Sequence, residues 1–240
     1  MLQFYLAATQ FALGDLPAPT TPSAKLTPAI RAQERLGWRL CLLPARQSLF
    51  TLFEKVNETI DRAAELGLLY IGAGSLQMAD ASTREFFDDQ LKSEEQKQIR
   101  LKLDEAGIRL LTYRIGPGPA DENRCRSLIE FAHRMGVEAV AAEPSPDMSG
   151  VVKRLCDAYD IRFTGATLAG QGIVRLSDLN DERVIATLEE VGRTNAAPVL
   201  FTLELPLEPP GARTGSASSL ARTVELFNKM SLQLAERRKV

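Results

Sequence analysis

Four stretches of this sequence share one pattern, in which an amphipathic helix meets a single turn residue and then a short apolar strand. They read Glu65-Leu-Gly67-Leu-Leu-Tyr-Ile71, Glu105-Ala-Gly107-Ile-Arg-Leu-Leu111, Arg134-Met-Gly136-Val-Glu-Ala-Val140 and Ala158-Tyr-Asp160-Ile-Arg-Phe163. Glycine just past a helix end adopts the left-handed conformation that stops the helix and leads the chain into a strand. Such units in series build a parallel sheet, because parallel neighbours need a crossover connection. The repeat predicts a barrel or a doubly wound sheet, whose ligands bind beyond the strand carboxyl ends.

Length and composition are compatible with one α/β domain. The chain has 240 residues, with 29 basic against 31 acidic side chains, and no basic run interleaved with aromatics. We therefore expect no nucleic-acid partner. Residues 2–13 are mostly apolar but too few to span a bilayer, and a Pro/Thr/Ser/Ala linker follows them. Residues 1–36 are predicted to be a loose arm or an export-signal remnant, with a cytoplasmic location favoured over export.

Residues 37–240 are predicted to form a single (β/α) TIM-type barrel with one strand fewer than the closed eight-fold form. The predicted strands are 38–43, 68–71, 108–113, 137–142, 161–164, 173–176 and 198–203. Helices are predicted between them, including a polar segment at 82–91. The missing strand would leave strand edges that a loop or a second subunit can cover, so a homo-oligomer is one expectation.

Three carboxylates follow predicted strands and are candidates for chemistry. Glu143 follows the fourth strand and precedes Pro144, and Glu204 follows the last strand. Carboxylates there can ligate a divalent cation or move a proton beside a carbonyl, although a solvent-facing loop acid is the alternative. Asp178 either lies at the same end of the barrel, the mouth formed by the carboxyl ends of the strands, or caps the next helix.

A possible anion site precedes the last helix. Ser216 lies in the run Thr214-Gly-Ser-Ala-Ser-Ser219, beside Arg213. Free backbone N–H groups at such a helix start hold phosphate in many barrels, although a plain helix cap explains the run equally well.

Other motifs exclude several kinds of site. His133 is the only histidine and stands at the wrong end of its helix, so neither a histidine-rich metal centre nor a Ser-His-Asp triad is predicted. Gly72-Ala-Gly74 lacks the third glycine of a dinucleotide loop, because Gln77 occupies that position, and no nucleotide cofactor is expected. The three cysteines have no metal-ligand spacing and are interpreted as free thiols.

The segment from Gly37 to Gly165, together with the last strand and helix, resembles the sugar phosphate isomerase/epimerase family of xylose-isomerase-like TIM barrels. The matching pieces are Leu52-Phe-Glu, Ala64-Glu-Leu-Gly-Leu-Leu-Tyr-Ile71, Lys102-Leu-Asp-Glu-Ala-Gly-Ile108, Phe131-Ala-His-Arg-Met-Gly-Val137, Ala142-Glu-Pro144, Arg175-Leu-Ser-Asp-Leu179, Phe201-Thr-Leu-Glu204 and Val224-Glu-Leu-Phe-Asn-Lys229. The resemblance implies carbohydrate metabolism, with a divalent metal at the mouth and proton transfer next to a sugar carbonyl. It also implies that Glu143 and Glu204 are the first and last metal glutamates.

The sequence departs from that family at several metal ligands. Gly72 stands where an acid usually ends strand two, Gly165-Ala-Thr167 stands at a His-Asn-His run, and Arg175 stands at a histidine. Mg²⁺ or Mn²⁺ would then bind weakly, if at all, with water completing the shell. Two functions remain open. One is an isomerase or epimerase that acts on a small sugar or sugar phosphate. The other is a non-catalytic carbohydrate- or phosphate-binding barrel, in which Arg175, Asp178, Arg213 and Ser216 contact the ligand.

Overall fold

The computed structural model describes residues 27–44, 55–80, 85–116, 121–164, 173–176, 179–194, 199–204 and 215–238. Within them, seven strands form one parallel sheet in the order β5-β4-β3-β2-β1-β7-β6. The strands are β1 (Trp38–Leu43), β2 (Tyr70–Gly74), β3 (Arg109–Arg114), β4 (Ala139–Ala141), β5 (Arg162–Phe163), β6 (Ile173–Arg175) and β7 (Val199–Glu204). The helices are α1 (Pro28–Leu36), α2 (Val56–Glu65), α3 (Ser93–Ala106), α4 (Glu122–Arg134), α5 (Pro146–Ala158), α6 (Asp181–Thr194) and α7 (Gly215–Arg237).

The sheet curls into an incomplete barrel. The first strand, β1, pairs with the last, β7, from Trp38 opposite Val199 to the end of both strands. Arg39 on β1 donates from Nη1 to Oε2 of Glu138, which directly precedes β4, at 2.5 Å. Because β1 and β4 are separated by β2 and β3, only a strongly curved sheet brings these side chains into contact. The predicted shortened barrel is confirmed.

The four helix-to-strand junctions are built alike. Gly67, Gly107 and Gly136 have φ of 67°, 67° and 79°, and Asp160 has φ of 55°. At each junction the next residue donates its backbone N–H to the carbonyl five residues back, as in Ile108 to Leu103 at 2.8 Å. This left-handed arrangement stops the helix and turns the chain into the strand. The turn residues expected from the sequence are therefore confirmed.

Apolar side chains pack on both faces of the sheet. The larger core lies between strands and helices and includes Trp38 and Phe227, both in contact with Phe201 at 5.0 Å between ring centroids. A smaller cluster of Cys41, Leu43, Leu111 and Leu200 fills the barrel interior. Buried faces on both sides explain why these strands are almost continuously apolar.

Segment 82–91, predicted as a helix, does not form one where it is described, from residue 85 onward. It makes an isolated antiparallel bridge between Met78 and Phe86, followed by turns. The reason is tertiary: Phe87 is fully buried against Phe131 at 5.0 Å, and its carbonyl accepts the Tyr113 hydroxyl at 2.7 Å. Burying this aromatic ring outweighs the weak helical propensity of the polar segment.

The boundaries of β2 and β3 lie closer to the C-terminus than predicted, because the junction bonds occupy the first residues of each predicted strand. Residues 28–36 form α1, although the sequence analysis assigned them to the arm. Thr27 caps α1, and Gln33 donates to Asn228 Oδ1 on α7 at 2.7 Å. The rest of the arm, residues 1–26, lies outside the described residues, so the division of the chain near residue 36 stays a prediction. None of the described helices combines the length and the apolar character needed to cross a membrane.

Candidate ligand site at the barrel mouth

Two of the predicted site residues meet at the carboxyl ends of neighbouring strands. Arg175 is the last residue of β6 and lies opposite Thr202 in the register with β7, while Glu204 is the last residue of β7. Arg175 Nη2 lies 3.0 Å from Glu204 Oε2. The side chain of Glu204 is 8% exposed and that of Arg175 is 35% exposed. The carboxylate is therefore shielded from water beside a partly exposed side chain whose Nε atom is buried, and this shielding strengthens the ion pair.

Glu143 lies apart from this pair. It follows β4 in the loop to α5, is exposed, and has no hydrogen bond or ion pair among the described residues. In the sheet, β3, β2 and β1 separate β4 from β7. The structure thus places Glu143 on a different wall of the mouth from Glu204.

The remaining candidates are only partly described. Asp178 and Arg213 lie outside the described residues, and so does the side chain of Ser216, whose backbone belongs to the first turn of α7. His133 is an exposed residue of α4, and its ring centre lies 5.3 Å from that of Tyr159. It stands next to the α4–β4 junction, at the opposite end of the barrel from the mouth.

Glu143 and Glu204, the two predicted metal ligands, lie at the ends of strands that are not neighbours. Among the described residues, no three side chains of His, Cys, Asp or Glu are grouped so that they could hold a metal ion. Glu204 would also have to exchange its guanidinium partner for the cation. Whether a weak metal site forms with Glu143 stays a prediction.

Gly72 occupies a wall of the barrel that has no room for a side chain. A Cβ added at this position would lie 2.3 Å from Thr112 Oγ1 and 2.6 Å from Leu43 Cδ2. The position at which the resembling family carries an acid is therefore filled by the neighbours of Gly72. An acidic side chain at position 72 would have to displace Thr112 and Leu43.

A bulge in β3 brings one further charged residue to the mouth. Ile71 pairs with Leu110, but the next residue, Gly72, pairs with Thr112, so Leu111 is an additional residue on β3. Leu111 and Thr112 both face the interior, and Tyr113 faces the helices, where it contacts Phe87 and Phe131.

As a result, Arg114 at the end of β3 faces the interior. A Cβ added to its neighbour Gly74 would lie 3.6 Å from Arg114 Cβ, so both positions share this face. The sequence analysis missed Arg114, because strict alternation from an inward Leu111 places residue 114 on the helix side. Bulges that redirect a side chain in this way occur frequently next to active sites.

The buried thiol of Cys41 and the buried phenol of Tyr113 are not poised for acid–base chemistry. Burial raises the pKa of the Cys41 thiol to about 12 and raises the pKa of the Tyr113 hydroxyl well above its usual range. At the opposite end of the barrel, Glu138 binds both Arg39 and, at 3.4 Å, Arg109. In a barrel this lower face serves stability rather than ligand binding.

No protein-family model and no curated protein matches this sequence. Among solved structures, an uncharacterised protein from Parabacteroides distasonis is similar at 15% identity and a TM-score of 0.62, with 80% of this chain and 99% of that one covered. A xylose isomerase domain protein from Planctomyces limnophilus aligns at 12% identity and a TM-score of 0.45, covering 83% and 99% of the two chains. A sugar phosphate isomerase/epimerase from P. distasonis aligns at 9% identity and a TM-score of 0.46, covering 72% and 87%. The likeness to the uncharacterised P. distasonis protein is one of fold.

Proposed function

We propose that this protein binds a small anionic carbohydrate, such as a sugar phosphate, at the mouth of the barrel, without a divalent metal. The observation that carries the proposal is the ion pair between Arg175 and the shielded carboxylate of Glu204, 3.0 Å apart at adjacent strand ends. It combines a cation, a fixed orientation and partial access to solvent in the region where barrels bind their ligands.

The geometry of the guanidinium favours an anion over a metal. A guanidinium has only N–H donors, held in a planar fork that matches the oxygens of phosphate or carboxylate groups. Because Glu204 holds the guanidinium of Arg175 in one orientation, less conformational entropy is lost when an anion binds.

The chain around the pair adds to this site. The start of α7 follows β7, where backbone N–H groups commonly contribute to phosphate binding in barrels. Arg213, just before α7, would add a second cation. The carbohydrate part of the proposal rests on the sequence resemblance and on the names of the similar structures.

The metal-dependent isomerase remains the competing function. It would require Glu204 to leave Arg175 and to share a cation with Glu143 on a different wall of the mouth. Proton transfer beside a carbonyl needs an acid or base within hydrogen-bonding reach of the substrate. The separation of the two glutamates in the sheet makes this arrangement the less favourable interpretation.

Thermal unfolding with inorganic phosphate or D-glucose 6-phosphate tests the proposal. A ligand at about a hundred times its dissociation constant adds roughly 2.7 kcal/mol to the free energy of unfolding. In a protein of this size, that raises the Tm by roughly 5–11 °C. We expect the shift to persist in EDTA and to be largely lost in Arg175→Ala.

The matched control is Arg193→Ala on α6, which removes an exposed guanidinium paired with Glu190 at 3.4 Å. Because Arg175→Ala leaves Glu204 shielded without its partner, Arg175→Leu combined with Glu204→Leu serves as a second variant that removes both charges. A phosphate shift that survives both Arg175 variants, or that appears only with Mn²⁺, would contradict the proposal and favour the metal-dependent isomerase.

A further inference from the structure

We propose that Glu85 and Glu95 share one proton and so form an acid-strengthened latch between the loop after β2 and the first turn of α3. The loop joins Gly74, at the carboxyl end of β2, to Ser93 and therefore borders the mouth of the barrel. Glu85 belongs to this loop, and Glu95 is the third residue of α3. The inference does not depend on the ligand that the mouth binds.

The two carboxyl groups need a hydrogen-bond donor that no neighbouring group supplies. In the described part of the chain, each of them has one oxygen, Oε2, that is shielded from solvent and has no N–H or O–H donor. A shielded carboxylate oxygen without a donor costs free energy, because its lost hydration is not replaced. Glu85 and Glu95 are hydrogen-bonded to each other, which two ionised carboxylates cannot be, since both only accept. A proton shared between them supplies the missing donor.

Lys92, the residue that precedes α3, is the cation beside the pair. Its Nζ lies 2.5 Å from Oε1 of Glu85, the other oxygen of that carboxyl group. The hydrogen bond with Glu95 lowers the pKa of Glu85, and the contact with Lys92 acts in the same direction. The same hydrogen bond, together with desolvation and the negative charge of Glu85, raises the pKa of Glu95. The proton is therefore carried by Glu95, which donates to Glu85.

The other described charges around the loop have partners of their own. They are Glu94 with Lys97 on α3, Asp88 and Asp89 with Arg124 on α4, Lys55 with Glu58 at the start of α2, and Asp80, which also interacts with another residue. We therefore assign the acid sensitivity of the loop to the carboxyl pair.

The latch acts on a short antiparallel contact within the loop, the isolated bridge between Met78 and Phe86. Beside this bridge, the Ala79 N–H donates to the carbonyl of Glu85 at 3.0 Å. The backbone of Glu85 is thus part of the contact, while its side chain reaches α3. A hydrogen bond from Glu95 to that side chain ties the bridge to the helix.

The latch strengthens as the pH falls, because the group that changes charge is an acid with a raised pKa. For Glu95, the stabilisation by the bound proton is complete below the ordinary glutamate value of 4.5 and is lost as the pH rises through the raised pKa. Above that pKa, two negative charges stand side by side and weaken the tie. The contact of Lys92 with Glu85 persists, so the loop loosens without being released.

Amide hydrogen exchange of the full chain, followed by NMR between about pH 5 and about pH 8, tests the inference. The readout is the protection factor of the Ala79 amide, which corrects for the intrinsic pH dependence of exchange. We expect it to fall roughly twofold to tenfold as the pH rises, the range of one net hydrogen bond. Glu95→Gln keeps a donor at every pH, so its protection should stay at the acid level throughout. Glu95→Ala should stay at the lower level.

The matched control is Glu94→Gln, which changes the neighbouring carboxyl group, whose side chain is 72% exposed. It should keep the pH profile of the wild-type protein. A carbon-13 titration of the carboxyl groups gives a second readout, in which Glu85→Gln should lower the pKa of Glu95. Protection that does not change with pH in the wild-type protein, a pH dependence that survives in Glu95→Gln, or a profile flattened equally by Glu94→Gln would each overturn the latch.

Discussion

Gly72→Ala should destabilise the protein, because the position has no room for even one additional carbon. The new Cβ would lie 2.3 Å from Thr112 Oγ1 and 2.6 Å from Leu43 Cδ2, well inside van der Waals contact. Leu43 is fixed in the interior cluster and Thr112 by the bulge, so both neighbours can yield only by disturbing the packing around them. Overpacking of this kind costs roughly 1–3 kcal/mol. In a protein of this size the Tm should fall by roughly 2–12 °C.

The assay is urea unfolding followed by circular dichroism, with Gly150→Ala as the matched control. Gly150 lies within α5, and nothing lies within 4 Å of the place its Cβ would take. Because alanine is the better helix former, this substitution should stabilise the protein by roughly 0.5–1 kcal/mol. The same chemical change thus has opposite signs at the two positions. If Gly72→Ala were neutral or stabilising, the packing argument at the barrel wall would be refuted.

Two further predictions concern buried charge and buried thiols. Arg124→Ala should lower the free energy of unfolding by roughly 2–4 kcal/mol in denaturant titrations, because Arg124 holds Asp88 at 2.8 Å and also contacts Asp89, whose side chains are only 12% and 9% exposed. Arg126→Ala on the same helix breaks only an exposed ion pair and should change the free energy of unfolding by less than about 0.5 kcal/mol. Equal effects of the two substitutions would contradict this reasoning. The pKa of the Cys156 thiol is raised by burial to about 12, so the native state keeps a proton that the unfolded state loses from about pH 9 upward. Stability should therefore fall as the pH rises from about 9 to 12, more steeply in the wild-type protein than in Cys156→Ala, and identical profiles would show that this thiol is not shielded.

Local sequence patterns predicted the strands and the helix-to-strand junctions well. The strand at Trp38–Leu43 has the bounds expected from the sequence, because it depends on signals within the segment itself. The four junctions are local for the same reason, since the turn residue and the carbonyls it satisfies belong to one helix end. Seven strands were predicted from the sequence, and the described residues form seven.

Contacts between distant segments were not predictable in the same way. The burial of Phe87 depends on Tyr113 and Phe131, which no pattern around residue 87 reveals. The bulge in β3 depends on how Gly72 fits against Thr112 across two strands. The sequence analysis named Arg175 and Glu204 separately, but their pairing follows from the strand order, which places β6 beside β7.

Because of these distant contacts, we expect that no single substitution at position 72 or 175 would create a metal site. An acid at position 72 would have to displace Leu43 and Thr112, and displacing Thr112 disturbs the bulge that directs Arg114 inward. A histidine at position 175 would leave the shielded Glu204 without its cation. The departures at Gly72 and Arg175 are thus coupled to packing or charge contacts in the mouth. Under the proposed function, we expect this arrangement to favour an anionic ligand over a cation, because Arg114 and Arg175 end two of the strands that form the mouth.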